Sequence, residues 1–237
     1  MCDYFILTKP NKTDVSQDRQ NQCVSLGQHQ TVYILPKNNM TYYMNNGLFE
    51  KSLIEWTKQF CSKEKIMLDI GAHTGTYAIS LADHCKQVYA FEPQKMTYYA
   101  LCGGVALSNI RNITCVNSGL GSEEQIGSQT LHIVSLDGGG SSLSSSDSVF
   151  QTESIEIKTL DSYNLEHVGF IKIDVEGNEL SALRGALATL RKSNYPTILF
   201  EMNTEQKDLL DFLRGLNYAI VPVNNCGNMF LAVYETH

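Results

Sequence analysis

A buried strand that breaks into a glycine turn and then into a helix constrains the fold of this chain more than any other feature. The apolar run Ile66–Ile70 predicts the strand, and Gly71 and Gly75 lie in the turn. Apolar residues at helical spacing begin at Thr76, and the largely apolar run Gln87–Phe91 predicts a second strand. A strand, a helix and a second strand in this order predict a βαβ unit with two parallel neighbouring strands.

The same alternation continues along the chain. Further strands are predicted over residues 113–116, 170–174, 197–201, 218–223 and 229–234, and helices are predicted to begin at Lys95, Glu179 and Glu205. Alternating strands and helices favour a parallel sheet covered on both faces. Only five residues, 224–228, join the last two strands, which predicts an antiparallel hairpin. The predicted fold is therefore α/β, with a mostly parallel seven-stranded sheet that ends in an antiparallel hairpin.

The first 62 residues are predicted to form an N-terminal arm, hairpin and cap helix, followed by a compact domain over residues 63–237. Residues 1–28 are polar and predict a loose arm. Segments 31–36 and 40–44 alternate and predict the two strands of a small hairpin. Segment 48–61 has apolar residues at helical spacing, which predicts a helix that caps the cleft.

A Gly/Ser tract, residues 137–146, separates two predicted strands at 131–134 and 154–158. Such a tract has little to bury, which is typical of a flexible surface loop. Loops of this length inside compact domains are also often functional. The sequence therefore leaves two alternatives open, a surface loop and a lid that closes over substrate.

The turn after the first strand points to an adenosine-containing cofactor without a pyrophosphate. Dinucleotide sites need G-x-G-x-x-G, and His73 stands at the middle glycine position. Glu92 ends the next strand, where a carboxylate can accept the hydroxyl protons of a ribose. Asp69 makes the loop acidic, which suits the sulfonium of S-adenosylmethionine better than a phosphate. S-adenosyl-L-methionine is the predicted cofactor, with S-adenosyl-L-homocysteine as its product.

Ligands of open α/β sheets bind outside the carboxyl ends of the strands. The residues predicted to bind the cofactor there are Asp69, Gly71, Ala72, His73, Gly75, Glu92, Pro93, Asn117, Ser118 and Asp174.

Methyl transfer to a hydroxyl requires removal of a proton, so a carboxylate or histidine near the cofactor is expected to act as base. The candidate catalytic residues are Asp174, Glu176, Glu201 and His73. The three carboxylates could also hold Mg²⁺, which prefers oxygen ligands, but a metal is not favoured and no metal ligand is predicted. Acidic residues are common in the first turn of a helix, so Glu179 is expected to stabilise a helix start.

Charge and composition narrow the classes of partner. The formal net charge of −7 over 237 residues argues against a broad nucleic-acid-binding surface. Seven scattered cysteines without C-x-x-C spacing predict neither a disulfide framework nor a zinc site. No apolar run reaches bilayer length, and no secretory signal is recognisable, so a cytoplasmic protein that does not bind membranes is expected. A small-molecule or glycan acceptor is the expected partner, and assembly into a homo-oligomer is left open.

Five segments together resemble the FkbM family of S-adenosylmethionine-dependent methyltransferases: residues 69–75, 90–93, 159–161, 172–179 and 183–186. The run K-I-D-V-E-G-N-E leading to L-R-G-A is the most specific part, and the resemblance spans about residues 48–201. It implies the Rossmann-like class I methyltransferase fold and O-methylation of a sugar, polyketide or other small-molecule hydroxyl. Two departures from the family pattern occur: His73 stands where Asn is usual, and residues 104–108 lack the usual Asn at each end.

Three other functions are compatible with parts of the same pattern. A dinucleotide-dependent oxidoreductase would use the same strand, loop and ribose carboxylate, although the glycine spacing counts against it. A catalytically inactive cofactor-binding module would explain the two departures. An RNA-directed methyltransferase fits the acidic charge poorly.

Overall fold

The computed structural model describes residues 4–10, 30–135, 138–144, 149–203 and 206–235. The described strands are β1 Tyr4–Pro10, β2 Gln30–Pro36, β3 Ile66–Ile70, β4 Gln87–Phe91, β5 Ile113–Val116, β6 Gly119–Leu120, β7 Gly127–Ile133, β8 Gln151–Lys158, β9 Val168–Ile173, β10 Thr197–Glu201, β11 Tyr218–Pro222 and β12 Met229–Tyr234. The described helices are α1 Met40–Asn46, α2 Lys51–Thr57, α3 Thr76–Leu81, α4 Lys95–Leu107, α5 Glu179–Arg184, α6 Leu187–Lys192 and α7 Lys207–Gly215.

In the described part of the chain, seven strands form the central sheet in the order β11-β12-β10-β9-β3-β4-β5. The five strands from β10 to β5 run parallel to one another, and β12 is antiparallel to both β10 and β11. This confirms the predicted α/β fold with a mostly parallel sheet and a terminal hairpin. The chain moves from β3 outward to β4 and β5, and then returns to β9 on the other side of β3. The strand order therefore reverses at β3, where ligands of such sheets bind.

The register of the sheet brings the ends of the parallel strands to one edge. Ile70 at the end of β3 lies opposite Phe91 of β4 and Ile173 of β9. The residues that follow these strands therefore lie side by side, and they include Gly71, Glu92 and Asp174.

Helices cover both faces of the sheet, as predicted. On one face, α3 and α4 contribute Tyr77, Ile79 and Leu101 to a core that also contains Met67 of β3. On the other face, α5, α6 and α7 contribute buried leucines. Leu209 and Leu213 of α7 are four residues apart and both fully buried, so one stripe of this helix faces the sheet.

The N-terminal region differs from its prediction in two places. The predicted strand 40–44 is wrong, because residues 40–46 form helix α1. The partner of β2 is instead β1, so the predicted loose arm is wrong for residues 4–10, while residues 11–29 lie outside the described residues. Helix α1 is favoured because it lets Tyr43 pack on Phe5 of β1 and on Phe49, with ring centroids 5.8 Å and 4.8 Å apart.

A helix is present in segment 48–61, but it is shorter than predicted. It consists of α2 and a 3₁₀ turn at Lys58–Phe60. The β1–β2 pair packs outside α3 and α4: the Val32 N–H donates to Ser108 Oγ at 2.8 Å, and the Tyr33 hydroxyl lies 2.8 Å from Ser80 Oγ.

Strands β6, β8 and β7 form a small separate sheet in that order. It confirms the two strands predicted beside the Gly/Ser tract and extends both of them towards lower residue numbers. Its buried side chains form their own apolar cluster, with Leu131, Ile133, Ile155 and Ile157 as members. Elsewhere, none of the described helices combines the length and apolar composition needed to cross a membrane.

Candidate active site

A cavity of about 300 Å³ lies at the carboxyl ends of β3, β4 and β9. This volume is at the lower end of the range for small-molecule sites. Its wall has contributions from the loop after β3, the ends of β4 and β9, the small sheet, the Gly/Ser tract and the N-terminal region. The residues used below are Asn39, Tyr43, Phe49, Glu50, Gly71, Ala72, His73, Thr76, Tyr77, Glu92, Pro93, Ser118, Leu120, Gly140, Ile155, Ile157, Lys172, Asp174 and Glu176.

The loop after β3 is held against the two neighbouring strands. The N–H groups of Gly71 and Ala72 both donate to the Phe91 carbonyl, at 3.0 and 2.9 Å. Gly71 has a φ of +78°, and a Cβ at this position would collide with the backbone carbonyl of Asp174. Only glycine fits such a close approach, so β9 can lie directly beside the loop. Gly75 also has a positive φ, of +86°, but it precedes α3 and does not line the cavity.

Glu92 is positioned by two backbone hydrogen bonds and lines the cavity. Its Oε2 accepts from the His73 N–H at 2.8 Å, and its Oε1 accepts from the Gln94 N–H at 2.9 Å. Burial raises the pKa of this carboxyl to about 7, although both hydrogen bonds act to lower it. The carboxylate is thus fixed in place between the loop after β3 and the start of α4.

Asp69 lies beneath the loop and does not line the cavity, although it is a predicted cofactor-binding residue. It is fully buried, and its Oδ2 accepts from the Ala78 N–H of α3 at 2.9 Å. Within the described residues its Oδ1 has no hydrogen-bond partner. Burial raises the pKa of this carboxyl above its usual range. In this structure Asp69 connects β3 to the first turn of α3.

The end of β5 contributes less of the cavity wall than predicted. Ser118 lines the cavity, as does Pro93 after β4, whereas Asn117 does not. The Asn117 amide donates to the backbone carbonyls of Glu92 and Pro93, each at 2.9 Å. Asn117 therefore supports the chain that carries Glu92.

A buried lysine lies opposite Glu92. Lys172 of β9 is 5% exposed, and its Nζ lies 3.1 Å from Asp174 Oδ2 and 3.3 Å from the Gly71 carbonyl oxygen. Burial acts to lower the pKa of Lys172, but the charges of Asp174 and Asp69 raise it above its usual range. Burial likewise acts to raise the pKa of Asp174, and Lys172 outweighs it, so the pKa of Asp174 is lowered. The pair is charged at neutral pH.

Lys172 was not among the residues predicted from the sequence. A signal was present, because this lysine interrupts the apolar run 170–173 of a strand that is buried on both faces. A cation at such a position needs a partner of opposite charge. Asp174, two residues later, is that partner.

Asp174, Glu176 and Glu201 are brought together as predicted, with one carboxylate oxygen of each within 4.8 Å of the others. Burial and the neighbouring Asp174 raise the pKa of Glu201 to about 7. Burial and Asp174 also raise the pKa of Glu176. Glu176 and Asp174 line the cavity, whereas Glu201 does not. Lys172 already provides a cation to this cluster, and the absence of a metal ligand remains a prediction.

Glu179 makes the helix-start contacts expected of it. Its Oε1 accepts from the N–H groups of Val175 and Gly177 at 3.3 and 3.1 Å, and its Oε2 accepts from the Gln206 amide at 3.1 Å. These bonds fix the turn between β9 and α5.

The described part of the Gly/Ser tract, residues 138–144, lies along the cavity. The Gly140 N–H donates to Glu176 Oε1 at 3.1 Å, and the Ser142 hydroxyl donates to the Glu176 carbonyl at 2.9 Å. Ser142 also forms a β-bridge with His132 of β7. Residues 136–137 and 145–148 lie outside the described residues. The tract thus forms part of the wall, as a lid would, and its movement remains a prediction.

The N-terminal region forms another part of the wall, through Asn39, Tyr43, Phe49 and Glu50. The Tyr77 hydroxyl of α3 donates to Glu50 Oε2 at 2.9 Å. The ammonium of Lys172 lies 5.2 Å from the centroid of the Tyr77 ring. Segment 48–61 is predicted to form a helix that caps the cleft, but only Phe49 and Glu50 of this segment line the cavity, and they precede α2.

Comparisons with known proteins agree with this geometry. The family model described as "Methyltransferase FkbM domain" matches residues 69–220. A methyltransferase FkbM from Methylobacillus flagellatus KT is similar over 73% of this chain, with 22% identity and a TM-score of 0.52. This chain spans 44% of that protein's length.

A precorrin-6y C5,15-methyltransferase from Geobacter metallireducens GS-15 is similar over 79% of this chain and 90% of its own, with 12% identity and a TM-score of 0.51. At these identities the two structures support the fold alone. Among curated proteins, none matches the chain. The family match covers more than half of the 237 residues and includes the loop after β3, Glu92 and Asp174, and this chain therefore belongs to the methyltransferase FkbM domain family.

Proposed function

We propose that this protein is an S-adenosylmethionine-dependent methyltransferase that methylates a hydroxyl group of a small molecule, sugar or glycan. The observation that supports this most strongly is the position of Glu92. Its buried carboxylate faces the cavity beside a glycine loop, at the point where the strand order reverses. A carboxylate at this point is suited to accept hydrogen bonds from two ribose hydroxyls.

The residues present fit the proposed cofactor. Leu120, Ile155 and Ile157 give one end of the cavity an apolar wall suited to an adenine ring. The absence of a Cβ at Gly71 lets β9 lie directly beside the loop. This places Asp174 at the cavity, where it offers negative charge to a sulfonium. When bound, S-adenosylmethionine supplies an electrophilic methyl group on that sulfonium.

The four predicted catalytic residues differ in how well they can accept a proton from the acceptor hydroxyl. Asp174 is paired with Lys172, and its lowered pKa makes it a weak base. Glu201 has a pKa of about 7 and is hydrogen-bonded to Asp174, but it does not line the cavity. It is therefore not placed to take the proton from the acceptor directly. His73 and Glu176 both line the cavity. Glu176 has a raised pKa, which brings it closer to neutral pH, and we assign the base to it.

Binding and transfer are tested separately. Titration calorimetry with S-adenosylmethionine and S-adenosylhomocysteine is expected to show one site for each. Incubation with S-adenosylmethionine labelled in the methyl group and a pool of neutral hydroxyl compounds and glycans is expected to give a labelled product. Loss of that product in Glu176→Gln, with unchanged cofactor binding, would support the assigned base.

Three results would overturn parts of the proposal. No binding at millimolar cofactor would remove the cofactor assignment. Binding without transfer to any member of the pool would favour an inactive cofactor-binding module. A change in NAD(P)H fluorescence on mixing would instead support the dinucleotide alternative.

A further inference from the structure

The N-terminal wall of the cavity lies outside the part of the chain that the family model matches. Residues 36–50 contribute this wall, and the match begins at residue 69. The predicted cofactor residues all lie within the matched part. The wall formed by residues 36–50 therefore contains none of the residues predicted to bind the cofactor.

Backbone strain marks Glu50 within this wall. Ten described residues other than glycine have a positive φ, and five of them are asparagine, which tolerates this conformation. Glu50, His73 and Glu176, with φ near +50°, are the ones that line the cavity. The left-handed conformation is unfavourable for glutamate, so it persists where surrounding contacts hold it. Strain of this kind is concentrated at functional sites.

Two contacts hold Glu50 in that conformation. Its carbonyl accepts from the Ile54 N–H at 2.8 Å, in the first turn of α2. Its Oε2 accepts from the Tyr77 hydroxyl at 2.9 Å, which directs the carboxylate towards α3 and the cavity. Glu50 is thus fixed at both its backbone and its side chain.

An aromatic surface adjoins Glu50. Phe49 lines the cavity and is 38% exposed. Tyr42 stacks on it, with centroids 4.1 Å apart and ring planes at 16°, and Tyr43 contacts it edge-on at 4.8 Å. These contacts fix the orientation of the Phe49 ring. A rigid ring of this kind can pack against the apolar face of a ligand.

Charge and polarity limit which ligand fits this wall. Among the described residues that line the cavity, Lys172 is the one lysine or arginine, and it is already paired, whereas carboxylates are contributed by Glu50, Glu92, Asp174 and Glu176. Such a site repels anionic ligands. Polar side chains that line the same cavity, Glu50 and Thr76 among them, favour a ligand with several hydroxyls over one with a single hydroxyl.

We infer that Phe49 and Glu50 form the acceptor subsite for a neutral polyhydroxylated ring, such as a pyranoside, with the ring face on Phe49 and a hydroxyl donating to Glu50. This assignment rests on the proposed methyltransferase function, because it takes the wall at the ends of β3, β4 and β9 to bind the cofactor. Sugar phosphates and uronates are excluded by the carboxylates.

The inference is tested by binding, without turnover. Protein saturated with S-adenosylhomocysteine is titrated with the neutral methyl pyranosides of glucose, galactose, mannose, rhamnose and fucose, with the corresponding 6-phosphates and uronates where they exist, and with simple phenols. Saturation-transfer NMR and calorimetry report binding. At least one neutral pyranoside is expected to bind, and the anionic sugars and phenols are expected to bind at least tenfold more weakly.

Glu50→Gln is expected to weaken pyranoside binding by about 10- to 100-fold, because the charged hydrogen-bond acceptor is replaced by a neutral amide. It should leave the affinity for S-adenosylhomocysteine within about twofold. The matched control is Glu55→Gln, which changes an exposed carboxylate of α2 that pairs with Lys58. Thermal melting verifies folding, and Glu50→Lys provides a second variant in which binding of a sugar phosphate should become detectable.

Each contrary result has its own meaning. If wild-type protein does not bind S-adenosylhomocysteine, the proposed function fails first. If it does bind, but no neutral pyranoside binds or an anionic sugar or phenol binds better, the acceptor class is wrong. If Glu50→Gln weakens the binding of S-adenosylhomocysteine as much as the binding of the sugar, Glu50 belongs to the cofactor side and the subsite is refuted.

Discussion

The half of the cavity at the ends of β3, β4 and β9 is joined to the neighbouring strands by backbone hydrogen bonds, and we call it the backbone-held half. The half formed by residues 36–50 is joined to α3 by a side-chain hydrogen bond, and we call it the side-chain-held half. Gly71 and Ala72 donate to Phe91, and the Asp174 N–H donates to the Ile70 carbonyl at 3.0 Å. The other half depends on the Tyr77–Glu50 hydrogen bond and on packing of Phe49. Backbone register is kept when side chains change, so the first half suits an invariant ligand and the second suits a variable one.

The largest expected effect on the backbone-held half comes from Lys172→Met, which leaves Asp174 without its cation. We expect a loss of about 3 kcal/mol in the free energy of unfolding, at the lower end for a buried pair because the Asp174 side chain is 33% exposed. Urea denaturation measures this loss. The double variant Lys172→Met/Asp174→Asn should recover part of it.

Lys192→Met is the matched control, because Lys192 forms an exposed pair with Glu166. Its effect should stay within about 0.5 kcal/mol. Equal losses in the two lysine variants would show that the Lys172–Asp174 pair does not stabilise the strand ends.

Glu92→Gln should weaken the binding of S-adenosylhomocysteine by about 100-fold, because charge-assisted hydrogen bonds to the ribose hydroxyls are lost. Calorimetry measures the change. Glu64→Gln removes an exposed carboxylate just before β3, at the opposite edge of the sheet, and should leave the affinity unchanged. An affinity for Glu92→Gln within threefold of wild type would contradict the ribose assignment.

Cofactor affinity should depend on pH through Glu92, since only the ionised carboxylate accepts both hydroxyl protons. With a pKa of about 7 in the free protein, the dissociation constant should be about tenfold higher at pH 6 than at pH 8. Calorimetry across this range should show the slope in wild type and a flatter profile in Glu92→Gln. A profile that is equally steep in both would assign the titration to another group.

The same group has the opposite effect on the stability of the free protein. The folded-state pKa of Glu92 lies above its usual value near 4.5, so the folded state holds this proton more tightly than the unfolded state. The contribution of Glu92 to the free energy of unfolding should therefore be retained below about pH 4.5 and lost as the pH rises to about 7.

The smallest effect is expected for Met44→Lys in the side-chain-held half, and Tyr43→Ala provides the contrast. Met44 of α1 is 66% exposed, whereas the next residue back, Tyr43, is buried. Met44→Lys should change the free energy of unfolding by less than about 0.5 kcal/mol. Tyr43→Ala should cost about 3 kcal/mol, because it opens a cavity beside Phe49. A large loss for Met44→Lys would mean that residues 40–46 pack differently.

The sequence predicts the first half of the site better than the second, and the reason is physical. Strand β3, the start of α3 and strand β4 are predicted to the residue, because an apolar run bounded by a glycine turn specifies them locally. The pairing of β1 with β2 involves residues separated by a long segment of chain, so no local pattern reports it. Segment 40–44 has residues typical of strands, and packing of Tyr43 on Phe5 overrides that preference.

For individual side chains, too, the prediction succeeds where local sequence sets the position and fails where a contact distant in the chain sets it. Glu92 and Asp174 line the cavity as predicted, because they end parallel strands in register. Asp69 does not, since its side chain points to α3 and not towards the cavity. Glu50 could not be predicted, because its role depends on a hydrogen bond to Tyr77, 27 residues away.

A crystal structure of the complex with S-adenosylhomocysteine tests the account most directly. It should show the ribose hydroxyls on the Glu92 carboxylate and the thioether between the loop after β3 and Asp174, with an open remainder of the cavity bordered by Phe49 and Glu50. A nucleotide bound elsewhere, or one whose ribose does not contact Glu92, would contradict it.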